Sequence, residues 1–281
     1  MVRGETYDER LALIGGEETE DLLADAGTVG AYFTVATDLP RGLPPGPSRG
    51  CAPVSLEQLY AGHAALGGAI THTTDRLGTT EVRVGASILF QGMAARLWSP
   101  VVAVALLHRR VPVLAPGSTW ARLDDSSAAW RTDPARVALL DPDRHHDPDQ
   151  QFHPQVDEPD ADRLALLVVR TVVNTHLTPL VDAVQAEVSL PEALLWGNAA
   201  SALVGSLGVL ARARPGLVHE VSGFTEGALR QPPLADAGIL NLVTSSGAGT
   251  GMPEFRRRSC CLYYRVPGGG LCGDCALAHR P

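Results

Sequence analysis

Four of the chain's five cysteines, Cys260, Cys261, Cys272 and Cys275, fall within its last 22 residues in the spacing C-C-x10-C-x2-C. Nothing else in the sequence limits the fold so tightly, because four thiols this close together have to be satisfied as a set. The N-terminus, Met1-Val2-Arg3-Gly4-Glu5, runs straight into charge and has no apolar leader, which makes a reducing cytoplasmic setting the expectation. In that setting the cluster reads as metal ligation and not as a disulfide framework. Cys272 and Cys275 are spaced to chelate one ion. Pro267 and Gly268-Gly269-Gly270 suit the turn that returns the second pair to the first, since glycine accepts positive φ and leaves N–H groups free to approach sulfur.

Spacing alone leaves three occupants open. Structural zinc usually draws on two C-x2-C knuckles, and here one half is a vicinal pair. Adjacent residues of an extended strand point to opposite faces, so a bent backbone is required, a demand that a 2Fe–2S cluster meets by taking the two sulfurs on different irons. A dithiol switch at Cys272-Gly273-Asp274-Cys275 would want an apolar strand before it and a βαβ frame around it, and three glycines precede it instead.

The chain contains no lysine, so all 23 of its basic residues are arginine. Schiff-base, pyridoxal-phosphate and Walker-type nucleotide chemistry are thereby excluded. A net charge of −8 disfavours nucleic-acid binding, and no basic recognition helix is visible. Gly15-Gly16 and Gly67-Gly68 lack dinucleotide-binding spacing, so no hydride-accepting site is expected.

Periodicity predicts a helix-rich α+β fold, predominantly helical with a small antiparallel sheet and a C-terminal Cys-rich module, divided as residues 1–250 and 251–281. Helical patterns run over 18–26, from Ser55 to about Asp75, over 81–109 broken or kinked by Pro100, over 164–187 with a break near Pro179, over 191–212 and over 224–230. Ser55 and Gln58 form a capping-box signature. β-prone runs lie at Ala31–Val35, Thr119–Leu123 and Arg136–Leu140, the last two expected to pair. The uncharged stretch Ala193–Ala211 repeats Trp196, Leu203, Leu207 and Leu210 at helical spacing and reads as a buried helix; no stable membrane insertion is expected.

Other candidates carry less. Arg256-Arg257-Arg258 precedes the first cysteine and offers potential tuning or docking of an anionic partner, against a plain solvated loop. His145, His146 and His153 share an acidic loop with Asp141, Asp143, Asp147 and Asp149, and a solvated loop is the simpler account. His176 reads as a core histidine or a cleft-lining one, Trp98 and Trp196 as core, and Cys51 as a lone thiol. The role of residues 1–80 is not legible.

The segment Arg258–Leu277 resembles the C-terminal signature of the FhuF-like ferric-siderophore reductases. Ala94-Ala95-Arg96-Leu97-Trp98-Ser99-Pro100 and Leu194-Leu195-Trp196-Gly197-Asn198 are similar to actinobacterial members, so the likeness covers about the last two thirds of the chain. The resemblance implies that the C-terminal module is an iron–sulfur one, in which Cys260, Cys261, Cys272 and Cys275 ligate one 2Fe–2S cluster, which reduces siderophore-bound iron(III) by one electron. It also implies a ferric siderophore, of the hydroxamate type, as substrate. Without a flavin or nicotinamide site, a ferredoxin or flavin reductase has to supply the electron. A zinc-stabilised siderophore binder and an iron–sulfur sensor are the alternatives.

Overall fold

A computed structural model describes residues 16–38, 53–62, 64–123, 130–142, 160–241 and 254–278. Its centre is a pair of long apolar helices, α4 (Val82–His108) and α7 (Glu192–Ala213), which pack on each other more extensively than any other two elements. α4 is apolar on nearly every side, as a helix enclosed by neighbours must be. Those neighbours include α1 (Gly16–Gly27) and α3 (Ala65–Arg76), with α5 (Asp160–Val172) behind. Small residues let the helices approach closely: a side chain at Gly85 would collide with the Thr74 hydroxyl. Trp98 lies in this core and donates its indole N–H to the Ala199 carbonyl at 3.1 Å.

Among the described residues three helices, Val82–His108, Ala161–Glu187 and Glu192–Ala213, are long and apolar enough to cross a membrane. Within the fold, 72%, 56% and 67% of their most apolar windows are buried against the rest of the chain. Trp196, like Trp98, belongs to the core, as its spacing implied.

The capping box forms as read. Ser55 accepts from the Gln58 N–H at 3.2 Å, while the Gln58 side chain accepts from the Ser55 N–H at the same distance. The helix it starts is short, however. α2 (Leu56–Tyr60) ends at Ala61, Gly62 takes φ of 83°, and the pattern resumes as α3, so the single helix expected to Asp75 is two. The expected helix over 224–230 begins earlier, as α8 (Val218–Leu229).

The break near Pro179 becomes a π-helical turn, Val173–Leu177, between α5 and α6 (Thr178–Glu187). Pro179 has no N–H to return to the carbonyl four residues back, and the wider turn absorbs that missing bond. His176 sits on this turn, buried, with Nδ1 3.0 Å from the Tyr60 hydroxyl. It is a core histidine. Burial pulls its pKa down to about 4, against an opposing hydrogen bond to the backbone of Leu114. A folded-state pKa below the unfolded value means stability is fully present above about pH 6.5 and is lost as pH falls toward about 4. Between pH 7.5 and 5 this group alone should cost about 2 kcal/mol. Urea unfolding at the two pH values should show a smaller difference in His176→Gln; equal differences would mean that the imidazole is not held neutral.

Among the described residues the sheet is three small sheets. The first has the order β1-β5-β4-β2 and comprises β1 (Val35–Ala36), β2 (Val54–Ser55), β4 (Thr119–Ala121) and β5 (Trp130–Thr132). Its β1–β5 pair is parallel. The other two are antiparallel: β3 (Val111–Val113) with β6 (Ala138–Leu140), and β7 (Gly238–Asn241) with β8 (Glu254–Arg257). The two runs expected to pair therefore lie in different sheets. β6 is buried at all three positions and joins the apolar β3, whereas β4 alternates and pairs through Thr119 opposite Thr132, their hydroxyls 3.1 Å apart. Of the run Ala31–Val35, only Val35 enters a strand.

Candidate metal centre

The C-terminal segment is stitched to the helical body before its first cysteine. β8 pairs with β7 in the register Gly238↔Arg257 to Asn241↔Glu254, and the Arg258 N–H continues the ladder to the Ala237 carbonyl at 2.9 Å. The expected domain boundary near residue 250 lies outside the described residues. After Cys260 and Cys261 the chain turns sharply at Leu262, whose φ of 67° is left-handed, into a single helical turn at Tyr263–Arg265. The Gly-rich return behaves as its composition predicts: Gly268 takes φ of 71°, and the Gly269 N–H donates to the Val266 carbonyl at 2.8 Å. The Cys272–Cys275 turn closes with a 3.2 Å bond from the Cys275 N–H to the Cys272 carbonyl. It is tied back to β8 by the Arg257 N–H donating to the Asp274 carbonyl at 3.1 Å.

This path brings the four cysteines together as free thiols, with Cys261 and Cys275 buried and Cys260 and Cys272 partly exposed. The Cys261 and Cys272 sulfurs are 3.5 Å apart. Two thiolates on one tetrahedral metal with bonds near 2.3 Å stand about 3.8 Å apart, so this pair is close enough to share one metal ion, whether zinc or iron. Cys260 feels the charges of both Cys261 and Cys275. Backbone donors already face the sulfurs: the Leu262 N–H reaches Cys260 at 3.4 Å and the Leu277 N–H reaches Cys275 at 3.3 Å.

The electrostatics point the same way. Burial first, then the Cys261 thiol, holds the Cys272 thiol far above its usual range, opposed by Arg257. Burial likewise raises Cys260, with Cys261 and Cys275 adding to it and the Leu262 N–H and Arg257 opposing. Metal cations in this space relieve the crowding of like charges.

Arg257 is the counter-charge. Its side chain is 0% exposed; Nε donates to the Asp274 carboxylate at 3.1 Å and Nη1 to the Asn198 amide oxygen at 2.6 Å. The Asn198 amide nitrogen donates to the Ser87 carbonyl at 2.9 Å, and the Ser87 hydroxyl to the Cys261 carbonyl at 2.7 Å. One chain of bonds thus runs from α7 through α4 to a ligand's own backbone. Arg257 Nη2 and Ser259 Oγ are buried donors with no hydrogen-bond partner. Orphaned donors and a buried cation beside four thiols are a fit for an anionic iron–sulfur cluster. Ser259 packs so tightly on α7 that a side chain at Gly197 would collide with its hydroxyl.

The three arginines do not act as a unit. Arg256 is half-buried on β8, and Arg258 is exposed, reaching the Asp236 carboxylate at 3.3 Å. Sequence reasoning missed Asn198, Ser87, Ser259 and Asp274 as parts of the site. The available signal was a lone amide and a lone hydroxyl inside otherwise apolar helices, where a polar group has to find a partner. Asp141 lies away from the centre, 3.6 Å from Arg110, while Cys51, His145, His146, His153, Asp143, Asp147 and Asp149 fall outside the described residues.

Residues 87–246, more than half of the chain, match the family model described as a ferric iron reductase FhuF-like transporter. Residues 257–277 match the one described as the FhuF 2Fe-2S C-terminal domain. The latter match spans all four clustered cysteines, so the cofactor is a 2Fe–2S cluster, and zinc and the dithiol switch are set aside. No curated protein matches the chain at a significant level.

Proposed function

The chain belongs to the FhuF-like ferric iron reductase family and carries its 2Fe–2S C-terminal domain, and from that premise we propose that it releases siderophore-bound iron in the cytoplasm by one-electron reduction. The observation that carries this reading is the packing of four thiols, a buried arginine and two unpartnered donors into one place near the surface. When bound, the cluster supplies a one-electron redox couple. Cys260, Cys261, Cys272 and Cys275 would hold it, and Arg257 places a positive charge beside it that would favour the reduced form. Hydroxamate oxygens are hard ligands that grip iron(III) and hold iron(II) far more weakly, so one electron frees the metal with the chelator intact. No general acid or base is required.

Exposure at the centre suits a bulky substrate. Cys272 is partly exposed, and Tyr263 at 37%, Tyr264 at 45% and Leu271 at 56% stand open around it. A one-electron centre with no hydride acceptor depends on a ferredoxin or a flavin reductase for reloading. The ferric chelate is of the hydroxamate type, and neither nucleic acid nor stable membrane insertion enters the reading.

Protein reduced with dithionite without oxygen should be reoxidised on adding a ferric trihydroxamate, with iron(II) appearing in a chromogenic trap. NADPH alone should leave the oxidised spectrum unchanged. A reduced spectrum that persists in excess ferric chelate would favour the sensor alternative, and bleaching by NADPH would reveal a nucleotide site.

A further inference from the structure

A groove of about 620 Å³ lies against the centre, and of the four clustered cysteines Cys261 and Cys272 line it. Its long walls are single faces of the two central helices. α4 contributes Ile88, Gln91, Gly92 and Ala95, and α7 contributes Ser201, Ala202, Gly205 and Val209, at spacings of three and four residues. Tyr32 and Phe33 close one side, and Tyr263 stands beside the cysteines. At Gly92 and at Gly205 an added Cβ would meet nothing within 4 Å, so each helix is recessed there toward open space.

The lining is apolar and carries no charged side chain among the described residues. Its polar groups are largely engaged with one another. The Gln91 amide donates to the Ser201 hydroxyl at 3.3 Å, and the Ser99 and Ser206 hydroxyls stand 2.8 Å apart. The nearby Arg96 packs its guanidinium over the Tyr32 ring, 4.8 Å from the centroid, and is not part of the lining. Such a surface offers little to a strongly charged ligand and much to methylene chains.

We propose that this groove is the docking site for an uncharged ferric trihydroxamate, held so that its iron faces the Cys261–Cys272 edge of the centre. The proposal rests on the reductase reading above, which gives the hydroxamate class, and adds the place and the orientation. Three hydroxamate monoanions cancel the charge of iron(III), leaving a neutral complex wrapped in methylene chains. Three catecholate dianions leave a charge of −3, which this lining would have to desolvate with no charged side chain of its own, on a chain that itself carries −8. In the docked complex iron(III) takes one electron from the reduced centre and becomes iron(II). No bond to the protein forms, and the external donor restores the electron.

Gly205→Leu and Gly92→Leu test this, because each fills the groove from an open helical position and replaces glycine with a better helix former. The holoprotein is titrated calorimetrically with the gallium(III) complex of a cyclic trihydroxamate, which is neutral and cannot be reduced. The wild type should bind it, and at least about tenfold more tightly than the gallium triscatecholate. Each leucine variant should lose about tenfold or more in affinity while keeping the wild-type visible spectrum and reduction potential. Wild-type affinity in both variants, no binding by the wild type, or preference for the triscatecholate would overturn the groove. Wild-type protein that binds the gallium complex yet is not reoxidised by the ferric one would sink the reductase reading and leave the groove standing.

Discussion

Replacing any one of Cys260, Cys261, Cys272 or Cys275 by alanine should yield colourless protein, while the wild type purifies red-brown with about two irons and two sulfides per chain. The effect should be all-or-none because a two-iron cluster needs both thiolates on each iron. Cys51→Ala should retain full iron and sulfide. Iron and acid-labile sulfide analysis of anaerobically purified protein decides it, and an alanine variant that keeps half or more of both would remove that cysteine from the ligand set. The body should stay folded in each variant, since the apolar contacts between α4 and α7 do not pass through the cysteines. Near-wild-type far-ultraviolet ellipticity therefore separates loss of the cluster from loss of the fold.

How much of this was legible in the sequence depends on the length of the signal. α4 and α7 are apolar over more than twenty residues, so period and length alone placed them within a residue or two. The capping box at Ser55 was equally readable, because its chemistry is local. The end of the helix it starts was not, since Gly62 stops the helix through its own backbone angle while the apolar pattern continues past it. The strands are two to four residues long, too short for alternation to choose partners, and β6 is buried at every position and has no alternation to read.

At the centre, the four cysteines and the glycine turn were fixed by spacing, but their support was not. Ser87 and Asn198 lie more than sixty residues from the first cysteine and meet Arg257 only once α4 and α7 are packed. The arginine triplet was treated as one feature because adjacency is all that a string of letters displays. Reading residues 254–257 as a strand would have separated it: Phe255 and Arg257 turn inward, Glu254 and Arg256 outward.

That inward turn makes Arg257 the residue whose loss should move the potential most. A unit charge about 8 Å from the centre, at an effective dielectric of about 20, contributes about 2 kcal/mol, or about 90 mV for one electron. Removing a positive charge destabilises the reduced, more negative state, so Arg257→Gln should lower the midpoint by tens of millivolts and up to about that figure. The substitution also leaves Asp274 without its partner, which adds negative charge near Cys272 and pushes in the same direction. Arg258→Gln removes the same formal charge from an exposed side chain already paired with Asp236, where solvent and salt screen it, and should shift the midpoint little. Arg257→Lys keeps the charge and loses the two-sided hydrogen bonding to Asp274 and Asn198. A midpoint near wild type in the lysine variant would assign the effect to charge, and one as low as in the glutamine variant would assign it to the hydrogen bonds. Anaerobic redox titration of the three variants measures this directly. Equal shifts in Arg257→Gln and Arg258→Gln would mean that burial gives Arg257 no special hold on the centre, and its role would reduce to tying the Asp274 turn to α7.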